Sequence, residues 1–202
     1  MAGNPEKKYQ AVVVGASAGG IMAIKTLLQG LPENFPLPLL IVQHISPEGD
    51  HGMDRLLGKT SLLLVKEADE QESIEPGTAY LAPANYHMLV EPDKTISLSA
   101  EQPVSYARPS VDLLFESAAL AYGSALIAVV LTGANRDGSN GLKIVKEMGG
   151  LVIVQDPHDA EVDSMPLAAI EAVKPDYVVK LAGLAGLLLK LAGDEESPYA
   201  CI

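Results

Sequence analysis

Residues 12–20 read Val12-Val13-Val14-Gly15-Ala16-Ser17-Ala18-Gly19-Gly20, and a helical pattern opens at Ile21. An apolar run with no polar alternation suits a strand covered on both faces, as in a parallel sheet. The glycines allow a sharp turn from strand into helix. That geometry lifts a serine hydroxyl above a sheet edge and points helix N–H groups toward whatever the hydroxyl attacks. It cradles a phosphate equally well, so the stretch alone offers either a nucleophile or a nucleotide site.

Working outward, Ile24, Leu27, Leu28 and Leu31 share one face of the helix that follows. Residues 39–42 (LLIV) repeat the strand signal, 53–57 suggest a short helix, and 62–65 (LLLV) form a third apolar run. From Pro76-Gly77 the pattern changes: 78–82, 87–90 and 95–98 are short strands separated by turn residues, which predicts a β-meander. The α/β rhythm then resumes. Ser110 is placed to cap a helix carrying Val111, Leu114, Phe115 and Ala118. Strands follow at 127–131, 151–154 and 177–179. Helices are expected over 142–148, from the turn at Pro166, and over the leucine-rich 181–193. The predicted fold is three-layer α/β/α on a mostly parallel, doubly wound sheet with an inserted antiparallel β-meander. One domain is expected over 1–202, with its core at about 10–192 and flexible termini.

The chain has 202 residues, 48% of them hydrophobic, and a formal charge of −12. That charge argues against nucleic acid as a partner, because neutralising phosphates needs clustered Lys and Arg. A lone Cys201 at the chain end builds no disulfide framework and points to a reducing cytoplasm. The apolar runs are too short to span a bilayer, and the terminal helix, interrupted by Lys190, reads as packed rather than inserted.

In an open parallel sheet, chemistry collects at the carboxyl ends of the strands. Ser17 follows the first strand, His44 the second (IVQHIS), and Asp137 the strong later one (VVLTGANRDGSNG). A serine, a histidine and an aspartate at one edge form the constellation of acyl transfer. Each has a plainer reading: Ser17 a turn residue, His44 a strand-end histidine bonded to backbone, Asp137 a turn residue or a cap for the helix from Ser139. A dinucleotide site is disfavoured because the G-x-G-x-x-G spacing is not met and Gln43-His44 stands where a ribose-binding acid belongs. No lysine follows the glycines, so a Walker-type loop fails. His51 and His158 lie among aspartates without metal-ligand spacing and read as loop residues, and His87 reads as an edge-strand residue. Arg108 is a candidate substrate contact, and Arg55, Lys59 and Arg108 are the candidates for a local basic patch on this acidic protein.

Taken in order, VVVGASAGG, IVQHISP, EPGTAYLAPANYHM, RPSVDLLFESAA, VVLTGANRDGSNGL and MGG…VQD…SMPLAAI resemble the catalytic domain of the CheB-type chemotaxis protein-glutamate methylesterases. The resemblance runs from about residue 10 to residue 190. It implies hydrolysis of γ-glutamyl methyl esters on the cytoplasmic helices of methyl-accepting chemoreceptors, releasing methanol, with deamidation of receptor glutamines in some members. It maps the catalytic serine, histidine and aspartate onto Ser17, His44 and Asp137, with oxyanion donors at the backbone N–H groups of Ala18 and Ala134. It requires no metal or organic cofactor, and implies neither nucleic-acid binding nor insertion into a membrane.

The chain departs from the family pattern where Ala18 replaces a threonine and where Ala134-Asn135 replaces Met-Gly. At the second point a backbone angle specific to glycine is expected to matter. The receiver domain that ordinarily precedes this domain in the family lies outside these 202 residues, which leaves two readings: a catalytic domain taken alone, or a stand-alone or differently regulated member, for which a receiver or kinase in trans is the candidate partner. Two other functions remain open at this point: a non-catalytic signalling or ligand-binding module on the same fold, and an esterase for another substrate.

Overall fold

The computed structural model describes residues 9–44, 52–104 and 106–193; His51, Cys201 and the chain ends expected to be flexible lie outside them. Its central sheet takes β1 (Ala11–Ala16), β2 (Leu39–Gln43), β3 (Leu64–Glu67), β4 (Thr78–Leu81), β7 (Leu126–Val130), β8 (Leu151–Gln155) and β9 (Tyr177–Val179). The strand order is β3-β4-β2-β1-β7-β8-β9, and every pairing in it is parallel. The helices are α1 (Gly20–Gln29), α2 (Met53–Gly58), α3 (Val111–Tyr122), α4 (Ser139–Glu147), α5 (Ser164–Ala172) and α6 (Leu181–Leu191).

The two faces of the sheet explain the unbroken apolar runs. Val12, Val14, Leu39, Ile41, Ile127 and Val129 pack against Ile24, Leu27 and Leu28 of α1 and Leu184, Leu188 and Leu189 of α6. The alternate residues Val13, Leu40, Val42, Ala128 and Val130 pack against Leu114 and Phe115 of α3, Leu142 of α4 and Met165 of α5. A strand with period 2 and a core on each side has no position left for a polar residue. The leucine-rich end of the chain is therefore the packed helix α6, and no helix among the described residues is long and apolar enough to cross a membrane.

The architecture follows the expected three layers, with one change in the antiparallel part. Of the three strands read as a meander, the first is β4, which joins the parallel sheet beside β2. Only β5 (His87–Val90) and β6 (Ile96–Ser99) pair antiparallel, as a separate hairpin. All four residues of β4 are buried, so it needs cover on both faces and takes an interior place. The hairpin lies against α3, where Val90 N–H donates to Ser117 Oγ at 3.1 Å.

Register sets what meets at the sheet edge. Ala16 sits opposite Gln43 and Gly15 opposite Val130, so Ser17, His44 and the segment after β7 leave the sheet side by side. The order reverses around β1, with β2 on one side and β7 on the other. Such a switch point opens a crevice at the carboxyl ends of the strands.

Candidate active site

Ser17 begins the loop into α1 and is held from three directions. Its N–H donates to Thr132 O at 3.0 Å, while its carbonyl accepts from Gly20 N at 2.8 Å and from Gln43 Nε2 at 2.8 Å. Gln43 Nε2 also donates to His44 O at 2.9 Å, so a single amide clamps the two strand ends together. Gly19 completes the turn at φ 77°, a left-handed angle that disfavours a side chain, and a Cβ there would come within 2.8 Å of Glu161 Cβ. The Ser17 hydroxyl itself has no hydrogen-bond partner among the described residues.

His44 and Asp137 are joined directly, with His44 Nε2 2.8 Å from Asp137 Oδ2. The other ring nitrogen, Nδ1, lies 2.9 Å from Asn135 Nδ2. Asn135 Oδ1 accepts from Asp137 N–H at 3.1 Å, which fixes the amide orientation and presents its NH₂ to the ring. Nδ1 is therefore the acceptor and Nε2 carries the proton donated to Asp137. His44 and Asp137 side chains retain 13% and 1% of their exposure, so the pair is largely shielded from solvent.

Asp137 accepts five hydrogen bonds: from His44 Nε2, Val111 N (2.7 Å), Asp112 N (3.0 Å), Gly138 N (3.0 Å) and Ser110 Oγ (3.1 Å). Burial alone would push its carboxyl up. The hydrogen bonds from His44 and from the Val111 and Asp112 amides outweigh that and hold it below its ordinary value. Two expectations are corrected here. Ser110 does not cap α3 with its own side chain; its hydroxyl donates to Asp137, whose carboxylate occupies the N-terminus of α3. Nor does Asp137 cap the helix at Ser139: its carboxylate accepts from Val111, Asp112 and Gly138 N–H, while the Asn140 and Gly141 amides of α4 go elsewhere. Gly138 holds φ 94°, and a Cβ on it would approach Val111 Cγ1 to 2.7 Å.

The start of α4 is capped from α3 instead. Asp112 Oδ1 accepts from Asn140 N (2.9 Å) and Gly141 N (2.8 Å). The two helices thus exchange carboxylates, each acid satisfying the other helix's first amides. Burial, followed by the Asp137 charge, pushes the Asp112 carboxyl above its ordinary 3.8, against the lowering by the amides it accepts from. A raised carboxyl contributes stability fully below its unfolded value and loses it as pH rises through the folded one. Asp112→Asn keeps the acceptor and removes that dependence. Its stability relative to wild type in urea is expected to improve as pH rises from about 4. Asp112→Ala orphans the amides at every pH and is expected to cost about 1–3 kcal/mol.

Other candidates fall outside the chemistry. His87 is fully buried; its Nδ1 accepts from Ser110 N–H at 3.1 Å and its Nε2 donates to Gln102 O at 3.2 Å, so it supports the entry to α3 from beneath. Arg108 Nη1 donates to Ala100 O (2.8 Å) and Glu101 O (2.9 Å), which ties this side chain to the backbone ahead of α3. His158 is an exposed loop residue. No group of three or more His, Cys, Asp or Glu among the described residues is arranged to hold a metal ion.

Sequence reasoning missed a second network. Thr132 Oγ1 lies 2.9 Å from Ala18 O and accepts from Val162 N at 2.9 Å, while Thr132 N donates to buried Gln155 Oε1 at 2.9 Å. Gly133 N donates to Val162 O at 3.0 Å. These bonds fix the loop after β7 beside the Ser17 turn. Among the described residues neither Ala18 N–H nor Ala134 N–H has a hydrogen-bond acceptor, and both residues are exposed. Asn135 is absent from the non-glycine residues with positive φ, so the position needs no glycine. The buried glutamines Gln43 and Gln155 were the available signal, each a polar residue closing an apolar strand.

Comparison with known proteins adds a second line of observation. The family model for the CheB methylesterase matches residues 12–188. A Leptospira interrogans protein, provisionally named protein-glutamate methylesterase/protein-glutamine glutaminase, is 51% identical over 183 residues, covering 91% of this chain and 95% of that one. A longer Thermotoga maritima protein-glutamate methylesterase/protein-glutamine glutaminase is 35% identical over 190 residues, of which this chain spans 55%. The crystal structure of the Thermotoga maritima CheB methylesterase catalytic domain superposes with a TM-score of 0.87 at 35% identity, covering 91% of this chain and 99% of that domain. A family model spanning residues 12–188, with these relatives matched over nine-tenths of the chain, places it in the CheB methylesterase family.

Proposed function

We propose that the protein hydrolyses γ-glutamyl methyl esters of chemoreceptors, with Ser17 as nucleophile, His44 as general base and Asp137 as the group that orients and steadies His44. The observation that carries this reading is the His44–Asp137 hydrogen bond at 2.8 Å beside the serine turn. Because Nε2 is committed to Asp137, the base is Nδ1. Ser17 Oγ attacks the ester carbonyl as Nδ1 takes its proton, and Asp137 stabilises the resulting imidazolium. The tetrahedral oxyanion is received by the N–H groups of Ala18 and Ala134. Collapse breaks the C–O bond, and His44 gives its proton to the departing methoxide, releasing methanol. Water, deprotonated by His44 in turn, attacks the acyl-serine; the bond to Ser17 Oγ breaks, His44 returns the proton to that oxygen, and the glutamate carboxylate is freed. The same cycle on a glutamine side chain releases ammonia, the second activity in the relatives' names.

The surroundings support an acidic protein substrate. A cleft of about 570 Å³ borders the site at Asn135 and Asp137, and Arg136 and Lys143 line it. Arg136 pairs with Glu171 at 2.7 Å, but both side chains are largely exposed and such a pair is readily exchanged for another carboxylate. The proposed setting is the cytoplasm.

The test is methanol release from a methylated receptor signalling domain, compared with release from a small γ-methyl glutamate ester. A kcat/KM higher on the receptor domain is expected. Equal values would point to an esterase for another substrate, and no release from either would mean a binding module.

A further inference from the structure

Asn135 occupies the lone pair that the reaction needs. A neutral imidazole has one acceptor nitrogen, and in His44 that nitrogen is Nδ1, already bonded to Asn135 Nδ2 at 2.9 Å. Ser17 Oγ, by contrast, has no partner among the described residues. The amide is not there by accident of packing: Oδ1 is anchored on Asp137 N–H at 3.1 Å, and the backbone stays out of the left-handed region. Asn135 is half-buried and lines the cleft shared with Arg136, Asn140, Lys143 and Glu171, so its side chain has polar space to enter on leaving the ring.

We infer that Asn135 is a positioning residue for His44, a latch on the general base. In this arrangement it holds the ring in the Nδ1-acceptor tautomer and keeps Nδ1 from Ser17. On substrate binding its amide swings into the cleft and surrenders Nδ1 to the serine hydroxyl. The inference rests on the proposed role of Ser17 and His44. No covalent step is added; the amide gives up its bonds to His44 Nδ1 and to Asp137 N–H, and gains the polar groups of the cleft while Nδ1 gains the serine hydroxyl.

Asn135→Ala and Asn135→Gly both remove the donor, and the proposal makes an uncommon demand of them: they must react faster. Serine labelling by a fluorophosphonate probe is expected to accelerate roughly 2- to 10-fold, the yield of releasing one ordinary hydrogen bond. On a methyl ester, kcat is expected to rise with KM little changed. In Asn135→Ala the ¹⁵N resonance of His44 Nδ1 is expected to stay in the hydrogen-bonded acceptor range, now through the Ser17 hydroxyl, and to move to that of an unbonded acceptor only when Ser17→Ala is added; a purely structural asparagine would give the unbonded value in the single variant. Variants that label at the wild-type rate or slower, beside a silent Ser17→Ala control, overturn the latch and leave the nucleophile standing. If Ser17→Ala is labelled as fast as wild type, the nucleophile reading fails and the latch falls with it.

Discussion

Ser17→Ala is expected to lower methanol release by about 10⁴-fold or more while leaving the fold as stable as wild type. The rate falls because no other group can form the acyl intermediate; the donors at Ala18 and Ala134 would then serve only a direct attack by water. Stability is spared because the hydroxyl of Ser17 has no hydrogen-bond partner among the described residues, whereas its backbone bonds to Thr132, Gly20 and Gln43 do not depend on the side chain. A surface-like change of this kind moves stability by no more than about 0.5 kcal/mol. Methanol assay and thermal melting together make the check. Retained activity would remove Ser17 from the mechanism, and a collapsed melt would show that the hydroxyl is structural.

Asp137 is expected to behave oppositely, because the proposed mechanism and the fold both draw on it. In Asp137→Asn the amide NH₂ facing His44 Nε2 cannot accept its proton. The ring is driven to the other tautomer, Nδ1 becomes a donor, and the base is lost. A fall of about 10³- to 10⁴-fold in kcat is expected. Asp137→Ala goes further, since the amides of Val111, Asp112 and Gly138 and the hydroxyl of Ser110 lose their acceptor. Orphaning several buried donors at a helix N-terminus is expected to cost about 3–5 kcal/mol, measured as a shifted midpoint in urea. The pH dependence has a definite sign. The folded carboxyl lies below its ordinary 3.8. Its contribution is therefore complete above that value and is lost as pH falls through the lowered one. Asp137→Asn is expected to lack this acid limb.

The amino-acid sequence carried the layered architecture and the edge on which the site lies. Continuous apolar runs such as 11–14 and 126–130 can be stable only where both faces of a strand are covered. A parallel sheet then brings the residues after its strands to one edge, which is why Ser17, His44 and Asp137 could be named together. The first strand of the apparent meander was misplaced for a related reason. Four residues alternate equally well in a hairpin or an interior strand, and only the neighbour that buries them decides.

The tertiary structure decided what each polar group touches. His44 meets Asp137 and Asn135 across 93 and 91 residues of chain, and Asp137 reaches the start of α3 across 26. Periodicity records which face of an element is buried, and it carries no information on which side chain lies opposite in space. Thus Ser110 looked like a helix cap when the cap is Asp137, and Gln43 looked like a missing acid when it is a clamp between two strand ends. The turn at Ser17 could be read from nine residues as a place for a nucleophile. That His44, its proposed base, rests under an asparagine amide is a matter of one distance, set by two segments that only the folded sheet brings together.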